Sequence, residues 1–548
     1  MAPGVDHSGA WDYYGTSDTH GVDDGDYDGH RPCGIEPTFS RIQTARRRGS
    51  STSTSIASRR ETVLSRIRSR NEVPPFTHPL ANVQTTQEVL VCFEGPDDPY
   101  HPLNWPMRKK VTTTLIYGFV TMTATWASSS FSAGTAQVAQ EFHIGEQTAV
   151  LGTTLFLIGF GLGPLLWAPM SEVYGRRMAV LPQMFVASCF SFASATSTNF
   201  QTLILTRFFG ALFASAPVTN TGGVMGDLFS PAHRGIAMAG GTTLGPIVSA
   251  AFVANPSLGW RWTEYFTGIL QAFMLVVAAV LIDESYPPSL LIVKAKRLRH
   301  ETGNWALHAR FEEWDVGFAE LARKFLLRPA QLLGTPICFL IAFYASFVFG
   351  ILYLNLGSIP IIFGELRGWS SVVATLPFLG LLLGAFAGAG INVWNQFVYN
   401  AYFHEAGDRA VPERRLPPMM AGGCLFAAGL FITGWTADPR DAPWIAPVIG
   451  LFMTGCGFFM IFQAALNYLV DTFQLYAASA VAANTFLRSC FAAAFPLAVT
   501  PLYHNLGVGP GSSIFGGIGC LLIPVPFVFF IYGKRIRASS KWSKASVY

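Results

Sequence analysis

From Val111 onward the chain alternates apolar runs with short polar connections. The runs cover roughly 111–132, 148–169, 178–197, 202–226, 235–254, 262–282, 335–356, 371–392, 418–436, 444–468, 475–500 and 512–532. About 20 apolar residues, rising ~1.5 Å each as helix, cross a hydrocarbon core of ~30 Å. Each run therefore predicts one spanning helix, twelve in all. The one long connection, 283–334, has 52 residues and separates the twelve into six and six. The pattern predicts an all-α membrane protein whose twelve transmembrane helices form two six-helix pseudo-repeats around a central cavity. Residues 1–110 become an N-terminal tail, 111–282 the first bundle, 283–334 a central loop, 335–532 the second bundle and 533–548 a C-terminal tail.

Composition agrees. With 51% hydrophobic and 13% charged residues, the chain is too apolar for a soluble protein, and it fits neither a disulfide scaffold, a collagen-like fibre nor a nucleic-acid binder. The eight cysteines show no CxxC or other metal-type spacing and read as free thiols. The net charge of +4 is informative only once its residues are placed. With both termini in the cytosol, 32 of the 37 Lys and Arg lie on the inner side and three, Arg261, Arg367 and Arg440, on the outer side. That asymmetry matches the positive-inside rule. The two left over, Arg207 and Arg488, fall inside spans.

Residues 1–80 start with seven Asp in the first thirty positions and then turn to Ser, Thr and Arg. Such a stretch cannot offset its ordering entropy and is expected to be disordered. Ser50 and Thr62, each two residues past an Arg run, read either as kinase sites or as part of a solvated basic segment near anionic lipid. The N-terminus lacks a short apolar core with a cleavage site, so the first span is expected to direct insertion.

The halves echo each other. Gly226-Asp227-Leu228-Phe229 at the end of the fourth span has a counterpart in Val470-Asp471-Thr472-Phe473 at the end of the tenth. Duplicated bundles around a midplane site are the plan of many secondary transporters.

Several local sequences carry a resemblance. Before the first span stand Gly95-Pro96-Asp97-Asp98-Pro99 and Asn104-Trp105-Pro106. After the second comes Gly163-Pro164 through Ser171-Glu172-Val173-Tyr174-Gly175-Arg176-Arg177, and the fifth holds Gly241-Thr242-Thr243-Leu244-Gly245-Pro246. Trp260-Arg261-Trp262, Lys294-Ala295-Lys296-Arg297-Leu298-Arg299 and Asn467-Tyr468-Leu469-Val470-Asp471 complete the set. Together, in this order, they resemble the major facilitator superfamily, and within it the fungal twelve-span drug:proton antiporters that include multidrug, fluconazole and polyamine exporters. The resemblance implies a cytosolic gate built on Gly163, Glu172, Gly175, Arg176, Arg177 and Asp227. Glu172-Val173 replaces the family's usual Asp-Arg, which shifts weight to Arg176, Arg177 and Asp227; the arginines alternatively serve as plain positive-inside anchors. It also implies an antiporter motif at Gly241, Gly245 and Pro246, although Ser249-Ala250 replaces the usual terminal Gly-Gly. The glycine rows Gly159, Gly163 and Gly380, Gly384, Gly388 read as close-packing helix faces.

An arginine inside a span is costly and faces a partner or a cavity unless it snorkels to the interface. For Arg207 the resemblance implies proton coupling. Arg488, more central in its span, reads as a cavity residue. Glu264 and Asp227 are the candidate proton carriers; for Glu264, described by its position as the carboxylate most accessible from outside, an ion pair with Arg261 is the competing reading. Trp126, Asn220, Tyr344, Phe347, Tyr353, Asn355, Gln463, Asn467 and Asn484, with Arg488, are the candidate cavity lining for amphiphilic organic molecules, against helix packing or an interfacial aromatic belt for each aromatic.

The function expected is a plasma-membrane exporter, working as a monomer without cofactor or metal, that exchanges protons for drug-like xenobiotics or toxic secondary metabolites. The alternatives are a specific exporter of polyamines or of one endogenous metabolite, and a non-transporting sensor whose head signals. No nucleophile-base pair, metal cluster or nucleotide loop points to an enzyme or to ATP-driven efflux.

Overall fold

The computed structural model describes residues 90–93, 98, 100–228, 245–255, 257–313, 326–405, 411–440, 442–540 and 542–543. Ser50, Thr62, Gly241 and the tail to residue 89 lie outside them.

The first half holds α1 (Met107–Ser130), a short α2 (Thr135–Glu141), α3 (Leu151–Tyr174), α4 (Leu181–Ala195), α5 (Phe200–Leu228), α6 (Gly245–Ala254) and α7 (Arg261–Leu281). After α8 (Pro287–Thr302) and α9 (Arg328–Leu333) come α10 (Pro336–Ile359), α11 (Phe378–Glu405), α12 (Pro417–Trp435), α13 (Ile445–Thr472), α14 (Ala477–Leu506), α15 (Val508–Leu522) and α16 (Pro524–Ser539). Apart from α2, α8 and α9, each helix overlies one of the apolar runs, with α15 and α16 sharing the last. Among the described residues nine helices are long and apolar enough to cross a membrane. The other three expected spans fall short for local reasons. Arg108, Lys109, Lys110 and many Thr and Ser dilute α1, α4 has 15 residues, and only 10 residues of α6 are described.

Up-and-down alternation brings Met107, Tyr174, Leu181, Leu228 and Leu281 to one end of the bundle, termed the Gly175 end; Trp260 marks the opposite end. The glycine rows do form close-packing faces. A Cβ on Gly163 would lie 2.6 Å from the Leu212 carbonyl of α5, and one on Gly384 would lie 2.0 Å from the Phe452 carbonyl of α13. The second half buries one continuous apolar cluster around α10, whereas the first half divides its core into smaller clusters. The halves meet where Thr154 of α3 donates to the Ala493 carbonyl of α14 at 3.1 Å and where the Ser128 and Tyr353 hydroxyls lie 2.8 Å apart.

A second compact unit joins Leu291–Glu313 to the described residues 90–93. The segment expected as a central loop is thus helical over α8, because Ile292 and Ala295 fall on one face and are buried with Val91 and Ala309. Arg299 pairs with Glu312 at 2.6 Å, and Lys294 donates to the Cys92 carbonyl at 3.2 Å. Cys189, Cys338, Cys424, Cys456, Cys490 and Cys520 are free thiols, while Cys92, outside the apolar runs, is disulfide-bonded.

Candidate functional site

Arg207 lies on α5 with 2% of its surface exposed, so it does not snorkel. Its Nη1 donates to the Oε1 of Glu264 on α7, its Nε to the Gly152 carbonyl of α3 at 3.0 Å, and its Nη2 to the Ala127 carbonyl of α1 at 3.3 Å. The guanidinium also faces the rings of Phe131 and Phe156, at 4.1 and 4.9 Å. Four helices of the first half therefore converge on one cation. Glu264 is itself only 3% exposed, which corrects its placement as an externally accessible carboxylate. Its partner is Arg207, not Arg261. A desolvated carboxylate needs a desolvated counter-charge, and Arg261, a third exposed, turns outward to Glu141 at 2.6 Å.

That outward pair forms a clasp at the Trp260 end. Glu141 accepts from the Trp260 indole at 2.6 Å as well as from Arg261, which also donates to the carbonyls of Ala195 and Ser197, both at 2.8 Å. Partial burial would raise the Glu141 pKa, but the hydrogen bonds from Trp260 and Arg261 and the Arg261 charge outweigh it and hold it below the ordinary 4.5.

At the Gly175 end, Arg176 joins the end of α5 to the turn after α3. Its Nε donates to Asp227 at 3.1 Å and its Nη1 to Ser171 at 2.9 Å. Burial lowers the Arg176 pKa, yet the charge and hydrogen bond of Asp227 leave it raised. Arg177 donates to the Ala279 carbonyl of α7 at 3.0 Å. The carboxylate that fixes the turn itself is Glu284, which accepts the backbone N–H of Arg176 at 2.9 Å and of Arg177 at 3.0 Å. Gly175 has φ +91°, and a Cβ there would lie 2.6 Å from Glu284 Oε2, so only glycine fits. Glu172 is half-buried next to this network. Gly163 belongs elsewhere: twelve residues earlier, about 18 Å along the helix, it serves the α3–α5 packing. Gly245 and Pro246 form the first turn of α6.

The second half repeats the arrangement. Asp471, at the end of α13, accepts from Arg415 Nε at 2.9 Å and from the Tyr399 hydroxyl at 3.0 Å, and Arg415 also donates to Gln396. The Asp227 and Asp471 echo in sequence is thus matched by an arginine from the equivalent connection in each half.

Arg488 differs from Arg207. It is 9% exposed and lies over the rings of Phe349 and Phe462, at 4.6 and 5.3 Å. Its Nε has no hydrogen-bond partner, and no carboxylate among the described residues pairs with it. One turn earlier Asn484 is fully buried with neither amide atom bonded. Tyr353 packs at a tilt against Phe349, its centroid 5.3 Å away, and lies in electrostatic range of Arg488.

The other expected lining residues scatter. Tyr344 and Phe347 face α12 and α14: a Cβ on Gly423 would lie 2.6 Å from the Tyr344 hydroxyl, and Phe347 meets Phe426 and Phe495 edge-on. These two are packing residues, because Phe347 and Phe349, two apart, point about 200° away from each other around a helix. Asn355, whose Oδ1 accepts from Ser358 at 3.0 Å, likewise points away from Tyr353. Gln463 donates to Asn467 at 3.4 Å. Trp126 packs on Phe266 in the first half with its indole N–H unbonded, and buried Asn220 donates back to the Ala216 carbonyl at 2.9 Å. Glu284, Arg415, Phe349 and Phe462 were not legible as site residues; the acidic Asp283-Glu284 pair directly after the sixth span was the one available signal.

Comparison with known proteins places this geometry in a family. The chain is 48% identical over 467 residues to the efflux pump bik6 of Gibberella fujikuroi, covering 84% of this chain and 96% of that protein. It is 40% identical over 463 residues to the multidrug transporter FLU1 of Candida albicans, covering 83% and 76%. The citrinin biosynthesis cluster transporter mrr1 of Monascus ruber is 39% identical over 462 residues, covering 83% and 92%. The fold is shared with the xylose transporter XylE of E. coli in a partially occluded inward open conformation, with a TM-score of 0.54 at 18% identity over 78% of this chain and 98% of that one. These relatives are transporters rather than enzymes. Residues 115–496 match the model of the Major Facilitator Superfamily, and the chain belongs to that family.

Proposed function

We propose that this protein is a secondary exporter that couples proton entry to expulsion of drug-like compounds or toxic secondary metabolites. The observation that carries the reading is the Arg207–Glu264 pair, a titratable carboxylate and its counter-ion enclosed by α1, α3, α5 and α7. Protonating Glu264 removes the counter-charge of a buried guanidinium, which changes the relative energy of two packings of the first half. The Arg176–Asp227 and Arg415–Asp471 latches at the Gly175 end and the α3–α14 contacts toward the Trp260 end are the groups that would alternate. Efflux as the direction of transport is supported by the relatives named for efflux and multidrug transport. The 32-to-3 division of basic residues supports both termini in the cytosol, and the plasma membrane is the membrane we assign to it. It would act as a monomer, as two bundles in one chain complete the site.

Everted membrane vesicles with an imposed proton gradient test this reading. Gradient-dependent, uncoupler-sensitive uptake of compounds from a broad panel is expected, with Arg207→Ala abolishing it when uptake is compared per amount of protein in the membrane. No such uptake across the panel overturns it.

A further inference from the structure

We infer that the site around Arg488 takes an organic anion, an aromatic carboxylic acid or acidic phenol whose ring packs against the Phe349, Phe458 and Phe462 wall and whose charged oxygen meets the guanidinium. The inference rests on the exporter reading and names its substrate class. The two buried arginines make the argument by contrast. Arg207 has a carboxylate and two carbonyls; Arg488, equally inside the bundle, has two aromatic faces and an unbonded Nε. A buried cation without a counter-ion costs several kcal/mol, and an anionic ligand supplies the missing charge. Asn484, one turn away on the same face of α14, holds an unbonded amide N–H and an unbonded carbonyl in full burial, ready for a second polar group. Phe349, Phe458 and Phe462 stand with centroids 5.7 to 6.2 Å apart, a wall suited to a flat ring. The Tyr353 hydroxyl, next to Phe349, reaches Ser128 of the first half at 2.8 Å, so a ligand here touches the contact between the halves. A cationic ligand would meet an unneutralised like charge and be rejected.

Two xanthene dyes of similar size test the inference: fluorescein, which is anionic, and rhodamine 6G, which is cationic. Binding to the purified full-length protein in lipid nanodiscs is read by anisotropy at fixed pH. Fluorescein should bind at least about tenfold more tightly than rhodamine 6G, and Arg488→Gln should weaken fluorescein about tenfold or more, the size of one lost charge-assisted hydrogen bond. Preference for rhodamine 6G, binding of neither dye, or unchanged fluorescein affinity in a folded Arg488→Gln protein overturns the inference. The wild-type preference decides the matter even where the variant fails to fold. Gradient-driven uptake is read separately, with fluorescein added to the panel: fluorescein binding with no uptake of any panel compound overturns the exporter reading and leaves the anion site standing.

Discussion

Arg207 of α5 and Glu264 of α7 form an ion pair in which neither side chain is more than 4% exposed, although the two residues lie 57 positions apart. Neither charge would be tolerated there alone, so each accounts for the presence of the other. Glu141, a carboxylate at the Trp260 end, is engaged by Arg261 and leaves Glu264 to Arg207.

Breaking that pair from either side should be costly. Glu264→Gln and Arg207→Met are each expected to destabilise the protein by about 3–5 kcal/mol, because each leaves the remaining group buried with its charge or polarity uncompensated. The double variant Arg207→Met with Glu264→Leu should lose less than the sum of the two, and less than either alone if repacking is good. Thermal unfolding in one detergent measures all three; strict additivity would show that the pair is not coupled. All three should be inactive in proton-driven uptake, including the double variant that recovers stability, which separates the proton role from the structural one.

The latches should respond alike in both halves. Asp227→Ala and Asp471→Ala each remove the carboxylate from a largely buried arginine, and a hydrogen bond to a charged group contributes about 1.5–3 kcal/mol. Similar losses in melting temperature are expected for the two, although they sit in different bundles. A loss confined to Asp227→Ala would show that the second latch is an incidental contact.

At Gly175 the backbone conformation and the space point the same way. Gly175→Ala would place a methyl group in the positive-φ region and against Glu284 Oε2, so a loss of about 1–3 kcal/mol and poor surface expression are expected. Combining it with Glu284→Ala should relieve the collision but not the backbone strain. Full recovery by the second substitution would show that φ at this position is unimportant.

How much of this could be read from the chain depends on the range of the contact involved. Arg207 and Arg488 stand out because a charge in an apolar run is rare, and Asp227 and Asp471 because they close equivalent helices. The sequence pairs neither Arg207 with Glu264 nor Asp471 with Arg415, and does not place Glu284 on the Arg176–Arg177 turn, since these contacts are made through packing between helices that are far apart in sequence. The lining of α10 is hidden in the sequence for another reason. Tyr344, Phe347 and Asn355 share one side of that helix and Phe349 and Tyr353 another; in a helix apolar all round, periodicity gives no clue to which side faces the partner bundle. The basic run in α8 reads as a loop by its charge, whereas the spacing of Leu291, Ile292, Ala295 and Leu298 gives it one apolar face.

Acid should loosen the Trp260-end clasp. The Glu141 pKa is depressed in the folded protein, so the unfolded chain binds more protons in the acid range. The contribution of this residue is therefore present above the ordinary value of 4.5 and lost as pH falls through the lower folded value. At 42% side-chain exposure the effect is small and screened by salt. Melting temperature in low salt should fall from pH 5 toward pH 3 less steeply in Glu141→Gln than in the parent protein. Parallel profiles would show that Glu141 has no share in acid stability.

Finally, the seam between α3 and α14 depends on the absence of a side chain at Gly161. A Cβ there would lie 2.4 Å from the Cβ of Ser489, a distance that no rotamer can relieve. Gly161→Val should push α14 away from α3 and break the hydrogen bond from Thr154 to the Ala493 carbonyl. Under the alternating-access reading this biases the protein toward the state in which the seam is parted. Thr154, 6% exposed, provides the reporter. In a background stripped of its reactive cysteines, Thr154→Cys should resist a membrane-impermeant thiol reagent added to intact cells, and should label readily once Gly161→Val is added. Equal protection in both proteins would mean that the seam does not open at this level, and that the halves separate elsewhere.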